Sequence, residues 1–331
     1  MIQTKYPVYI ISKGRWDSRQ TARTLEEMKC EYRIVVEDSE YDNYAAVIDS
    51  KKILVLPSDF RQDKKYAIPD YAGRVGGGIP VRNWVWEHSI QEGHKRHWII
   101  DDNIRHFFRS LKNTRLRVYS SAPLRVCEDF TDRFTNIKIS GLNYNFFVPA
   151  NLDRPAYSLN TRIYSCILLD NSVTHRWRGK YNEDTDLSLR ILKDGDCSLL
   201  LNAFNCGKAA THTMKGGNTG EVYKVGGDDF DNRREFAESL YTQHPDVVEI
   251  TQKWGRWHHQ VNYDKFATNV PILKPGLNID NNINEYGLKL VRIDEDFHPK
   301  KLIKLNTSRD IIETNFPEFP RKNKLTEEEE D

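Results

Sequence analysis

From Tyr6 to Asn103 the chain alternates short β-rich apolar runs with helical stretches, and each run ends in charged or glycine-rich sequence. Tyr6 to Ser12 (YPVYIIS) reads as a strand. RQTARTLEEMK reads as a helix that Asp17 or Ser18 can cap, and Tyr32 to Glu37 (YRIVVE) as the second strand. EYDNYAAVI gives a short helix, KILVLP a third strand, VRNWVWEHSIQEG a helix, and His97 to Ile100 a fourth strand. Within that last helix Val81, Val85 and His88 share one face by their i, i+4, i+7 spacing. Such an order implies right-handed crossovers and a mostly parallel sheet flanked by helices. Ligands of these sheets bind beyond the carboxyl ends of the strands. Glu37-Asp38, the loop Gly73 to Gly78 and Asp101-Asp102-Asn103 all fall at that edge.

The second half is mixed. RLRVYS, NIKISGL, TRIYSCILLD and CSLLLNAF read as strands, and LRVCEDFTDRF, Glu183 to Lys193 and REFAESLYTQ as helices. Residues from 271 onward, with Pro271 and Pro275, read as an extension that ends in the acidic, disordered run TEEEED. The expected organisation is one domain over 1–270, with a first half over 1–110 and a second half over 111–270, and an extension over 271–331.

With 49 basic and 48 acidic residues the global field is weak, so any nucleic-acid contact must come from a local patch. No apolar run reaches the roughly 20 residues of a membrane span, and the N-terminus lacks the pattern of a signal peptide. The five cysteines are scattered without a CxxC pair. They read as small buried apolar residues rather than a disulfide framework or zinc site.

Five groups of residues carry possible chemistry. Asp101-Asp102-Asn103 sets two carboxylates and an amide at a strand end, which suits a divalent cation or, more plainly, an Asx turn. Asn182-Glu183-Asp184-x-Asp186 can be an ordinary acidic helix start, or it can offer a general base for an acceptor hydroxyl. Trp177, Arg178, Gly179 and Tyr181 just before it suit a polar pocket. His212 and Lys215 sit in the loop THTMKGGNTG, where His can ligate a metal and Lys can neutralise phosphate, although an isolated His is usually a plain surface residue. The Gly73–Gly78 loop with Arg74, Arg82 and Asn83 can approach an anion, yet matches neither GxGxxG nor GxxxxGK[ST]. Lys253-Trp254-Gly255-Arg256-Trp257-His258-His259 can stack on bases or sugars, or anchor the C-terminal part on the core.

IIDDN, NED and THT occur in an order that resembles the GT-A glycosyltransferases, which carry a DxD-type motif, a later acidic pair and a histidine. PVYIISKGR, VVED, GGGIPVRN, WIIDDNI and NEDTDLSLR are similar to the TET-associated glycosyltransferases of bacteriophages, over about residues 5–220. The third position of the acidic motif departs from the pattern, being Asn103 rather than Asp.

This resemblance implies a Rossmann-like GT-A fold and a UDP-sugar donor, with Mn²⁺ or Mg²⁺ bridging the diphosphate. It places Asp102, Asn103 and His212 at the metal, and Ser12, Lys13, Arg15, Glu37, Asp38, Arg74, Arg82, Asn83, Asp101 and Lys215 around the nucleotide-sugar. Asp184 or Glu183 would be the base of an inverting reaction. The acceptor it implies is a hydroxymethylpyrimidine such as 5-hydroxymethylcytosine in double-stranded phage DNA, modified with glucose or arabinose in the cytoplasm of the infected host. Trp177, Tyr181, Trp254 and Trp257 would stack on the base, and residues 233–235 would meet phosphates. Rival readings are a GT-A enzyme acting on a protein, lipid or glycan, a nucleotidyltransferase, and a non-catalytic nucleotide-sugar or DNA-binding module.

Overall fold

The computed structural model describes residues 2–111, 114–148, 155–208, 216–217, 233–253 and 255–277. The alternating first part forms as its pattern requires. Strand β1 (Val8–Ile11) leads to helix α1 (Gln20–Glu27), then β2 (Arg33–Val36), α2 (Tyr41–Ala45), β3 (Ile53–Val55), α3 (Ile79–Gln91) and β4 (Arg96–Asp101). All pairings among these four strands are parallel.

The chain then turns back at Asp102 and Asn103 into β5 (Ile104–Leu111) and β6 (Thr114–Val118). After these come α4 (Ala122–Thr131), β7 (Ile137–Tyr144), β8 (Tyr157–Leu159), β9 (Cys166–Asp170), α5 (Glu183–Lys193) and β10 (Cys197–Lys208). Ten strands make one sheet in the order β3-β2-β1-β4-β9-β7-β10-β5-β6, with β8 also on β10. Strands β1–β4, β6, β7 and β10 point one way, while β5, β8 and β9 run against them.

Both faces of the central strands are buried, which explains their near-continuous apolar sequence. On one face Val8, Ile10, Trp98 and Ile100 meet Leu25 of α1, Tyr44 of α2 and Leu124 of α4. On the other Tyr9 and Ile99 meet Val85 of α3, and Ile167 and Leu169 meet Trp86 of α3 and Leu187 of α5. The expected α3 face holds, with the Tyr9 hydroxyl 3.0 Å from His88 Nδ1. All five cysteines are buried and free.

A smaller unit packs behind α5. Helix α6 (Arg233–Gln243) and the hairpin β11 (Val248–Lys253) and β12 (Arg256–Val261) share a core with Leu189 and Leu192. The start of the presumed extension is strapped to the end of α4, where Thr135 N donates to Ile272 O and Lys274 N to Arg133 O, both at 2.8 Å. The rest of that extension, including TEEEED, lies outside the described residues. No helix among the described residues is long and apolar enough to cross a membrane.

One local expectation is corrected. Neither Asp17 nor Ser18 caps α1, whose N-cap is Arg19 with φ 29° and no side-chain cap. The helix start is fixed instead through Thr21, whose hydroxyl donates to Asp101 O (2.6 Å) and accepts from Ile104 N (2.8 Å). This bond ties α1 to the acidic turn. Lys253 pairs with Arg256 where β11 and β12 meet, and Gly255 adopts φ 71°.

Candidate active site

A cleft opens at the carboxyl ends of β1, β2, β3 and β4, under the first turn of α3. One wall is apolar, made by Ile11, Leu56, Phe60 and Val81. Beside it Glu37 is held between Arg61 (2.5 Å) and Lys13 (3.2 Å). Burial pushes the Glu37 carboxyl up, but the Arg61 and Lys13 charges outweigh it and keep the group below its ordinary value. The guanidinium of Arg61 also lies 5.0 Å from the Phe60 ring centroid. An apolar wall next to a charge-paired carboxylate suits a flat polar ring such as a nucleobase.

The floor is the acidic turn. Asp102 is only 6% exposed. It accepts from Ser12 Oγ at 2.9 Å and pairs with Arg15. Ser12 in turn shares a 2.6 Å hydrogen bond with the Tyr44 hydroxyl. Burial raises the Asp102 pKa, and the Arg15 charge and Ser12 bond offset only part of that rise. Asp101 is more open and faces Arg82 at 3.5 Å and Lys208 at 4.0 Å. Asn103 Oδ1 is buried with no hydrogen-bond partner.

Glycines close this floor. Gly216 has φ 82°, and a Cβ there would lie 2.5 Å from Gly14 O. A Cβ on Gly217 would lie 2.6 Å from Arg15 Nη2. Residues 216–217 therefore pack directly on residues 13–15, with Gly217 N donating to Lys13 O at 2.8 Å. Their neighbours His212 and Lys215 lie outside the described residues, as does Trp254.

Arg82 organises the remaining chemistry. Its side chain is 6% exposed and sits among Asp101 (3.5 Å), Asp184 (3.7 Å) and Glu183 (3.8 Å). Burial would lower its pKa, and the three carboxylates more than reverse that. Asp184 keeps 21% of its side chain exposed while its Oδ1 is buried and faces Arg82 without a hydrogen bond. Its pKa is pushed up to about 7, by burial first, with Arg82 opposing and Glu183 and Asp101 adding to the rise. A carboxylate near neutrality is a competent proton acceptor.

Helix α5 presents these acids through a left-handed N-cap. Asn182 has φ 54°, a conformation Asn tolerates, and its Nδ2 donates to Phe236 O at 2.7 Å. Behind it Asp186 is fully buried and accepts from Arg178, Arg190 and His244 at 2.7–3.2 Å. Burial raises the Asp186 pKa, but these partners drive it well below the ordinary carboxylate range.

Of the sequence candidates, Ser12, Lys13, Arg15, Glu37, Arg82, Asp101, Asp102, Asn103 and Glu183 line the cleft, and Asp184 joins them through Arg82. Others do not. Asp38 is exposed in the short turn after β2. Arg74 turns away to Asp70 (2.9 Å) and Glu235 (3.7 Å). Asn83 is a buried clamp, donating to Tyr66 O and Trp177 O and accepting from Trp177 N.

The stacking expectation for two aromatic residues is corrected by burial. Trp177 is 0% exposed, packed in the core with Arg82 4.8 Å above its ring. Tyr181 is 4% exposed and stacked on Phe236 at 4.2 Å. Trp257 lies in β12 under Arg234, away from the cleft lining. Phe60, Arg61 and Lys208 were missed. A basic residue following an aromatic one after a strand end is the only signal the sequence offers for the first two.

Among the described residues no three His, Cys, Asp or Glu side chains form a ready metal-ligating group. The oxygen donors present still fit a hard cation: Asp101 is open to the cleft, and Asn103 Oδ1 is an orphaned acceptor.

The site is an α/β sheet with a cleft at its strand ends, faced by acids at a helix start. The model of the TET-Associated Glycosyltransferase family matches residues 6–217. The chain belongs to that family and is a glycosyltransferase. No curated protein matches it.

Proposed function

We propose that this enzyme moves glucose or arabinose from a UDP-sugar to the hydroxymethyl group of 5-hydroxymethylcytosine, or another hydroxymethylpyrimidine, in phage DNA within the infected cell. The observation that carries the reading is Asp184, a carboxylate with a pKa near 7, set beside Arg82 at the edge of a cleft fit for a nucleotide.

In this reading Phe60 and Leu56 flank the uracil, and Glu37 with Arg61 and Lys13 meets its polar edge or the ribose. Lys13, Arg15 and Arg82 face the diphosphate. Asp101, Asp102 and Asn103 would hold Mn²⁺ or Mg²⁺, with His212 a further ligand. The bound ion supplies positive charge to the departing diphosphate. Asp184 removes the proton from the acceptor hydroxyl as its oxygen attacks the anomeric carbon, so the product anomer is inverted. Arg82 keeps Asp184, Glu183 and Asp101 together and limits their mutual repulsion. The base must leave the helix to reach a buried donor, at a cost of a few kcal/mol.

The test is incubation of the full chain with a panel of UDP-sugars, Mn²⁺ and DNA containing hydroxymethylcytosine, read by nucleoside mass spectrometry. A hexose or pentose added to hydroxymethylcytidine, with release of UDP, is the expected result. Pyrophosphate release would mark a nucleotidyltransferase, and transfer only to a glycan or peptide, insensitive to salt, would replace the DNA acceptor.

A further inference from the structure

Next to the cleft four aromatic rings form one continuous cluster, two exposed and two half-buried, and none of them lines the nucleotide site. Strand β7 ends at Tyr144, and the turn after it, Asn145 to Phe147, displays Phe146 at 69% and Phe147 at 44% exposure. Exposing two adjacent Phe side chains costs solvation free energy that burial would recover, so an unburied pair of this kind marks a contact surface.

The rings touch in sequence. Phe146 packs edge-on against Phe147 (5.4 Å) and stacks with Tyr144 (6.1 Å), and Phe147 meets Tyr164 at 6.3 Å. Arg115 on β6 fixes the turn by donating to Asn145 O and Val148 O, each at 3.0 Å. The display is built, not frayed.

Lys208, at the end of β10, joins this surface to the reaction centre. Its ammonium lies 5.7 Å from the Tyr144 ring, 5.8 Å from the Tyr164 ring, 2.8 Å from Ser165 Oγ and 4.0 Å from Asp101. Arg162 adds a second cation, 5.1 Å from the Tyr164 ring. Exposed rings with interleaved cations are the elements that bind single-stranded nucleic acid: the rings stack on bases and the cations meet phosphates.

The geometry points to the Tyr144–Phe146–Phe147–Tyr164 surface as the acceptor platform, which takes an unpaired nucleotide of a DNA strand on Phe146 and Phe147 and leads it past Lys208 to the cleft. This assignment rests on the DNA-acceptor reading and adds where the strand lies. It replaces Trp177 and Tyr181, whose rings are buried.

The full chain is titrated into a fluorescein-labelled oligothymidine at several salt concentrations and read by anisotropy, with UDP titrated separately by calorimetry. The Phe146→Ala/Phe147→Ala double variant should weaken oligonucleotide binding about tenfold or more, with the salt slope and UDP affinity unchanged. Arg162→Ala should lower the salt slope by about 1. Phe146→Tyr/Phe147→Tyr keeps the rings and should keep binding. Phe146→Ala alone gives the same reading in smaller measure if the double variant does not fold.

Unchanged oligonucleotide affinity in the Ala variants overturns the platform. So does a wild-type protein that binds no oligonucleotide, or a dimer seen by light scattering that the Ala variants dissociate. If the platform binds as expected but no sugar reaches hydroxymethylated DNA, the failure belongs to the proposed function alone.

Discussion

The two flanks of the cleft are built differently. The donor flank is made by topology: four parallel strands end together, and backbone turns place Ser12, Glu37 and Asp101 wherever the strands stop. The proposed acceptor flank is made by surface: strands β7 and β10, parallel to each other and paired over a long sequence distance, end beside the exposed Phe146 and Phe147 and the cation of Lys208. The donor flank is locked by buried bonds such as Arg15 to Asp102, while the acceptor flank leaves apolar area open. A fixed subsite suits an invariant nucleotide, and an open one suits a polymer.

That contrast can be broken at the junction. Asp184→Asn should lower turnover by about 10²–10⁴-fold, the usual contribution of a positioned base, while UDP affinity measured by calorimetry stays at the wild-type level. Loss of UDP binding in that variant would place Asp184 on the donor flank instead.

Asp102→Ala tests the locking of the donor flank. It removes the carboxylate that faces the largely buried Arg15 guanidinium, which should cost about 3 kcal/mol of stability in a denaturant titration. A variant of wild-type stability would show that the Arg15–Asp102 pair does not hold the turn.

The pH profile sharpens the same distinction. The base acts deprotonated, and folding raises the Asp184 pKa to about 7, so kcat/KM should fall about tenfold per pH unit as pH drops below 7 and level off above it. The raised value also means that ionising Asp184 costs stability, present below the unfolded pKa of about 4 and lost as pH rises through 7. Asp184→Asn should therefore melt higher than wild type at pH 8.

The smallest effect belongs to Trp257. Trp257→Ala should change sugar transfer by less than about twofold, because the residue sits on the α6–hairpin unit and not on the cleft.

Legibility followed the same divide. Parallel strands buried on both faces are continuous apolar runs, so β1, β2, β3 and β4 and the acids at their ends could be read locally. Strand β5 was missed because Phe107 and Phe108 are both buried in succession, which breaks the alternation that marks a strand. The β11–β12 hairpin was hidden by the Trp and His residues that made its tip look like a ligand motif. Trp177 and Phe146 show the deeper limit: one aromatic is buried beneath Arg82 and the other stands in solvent, and only the folded chain separates them.

The most direct measurement is a crystal structure with UDP and Mn²⁺. The account predicts uracil against Phe60 and Leu56, and the diphosphate between Lys13, Arg82 and an ion on Asp101–Asn103. A nucleotide bound elsewhere, with no ion on that turn, would contradict it.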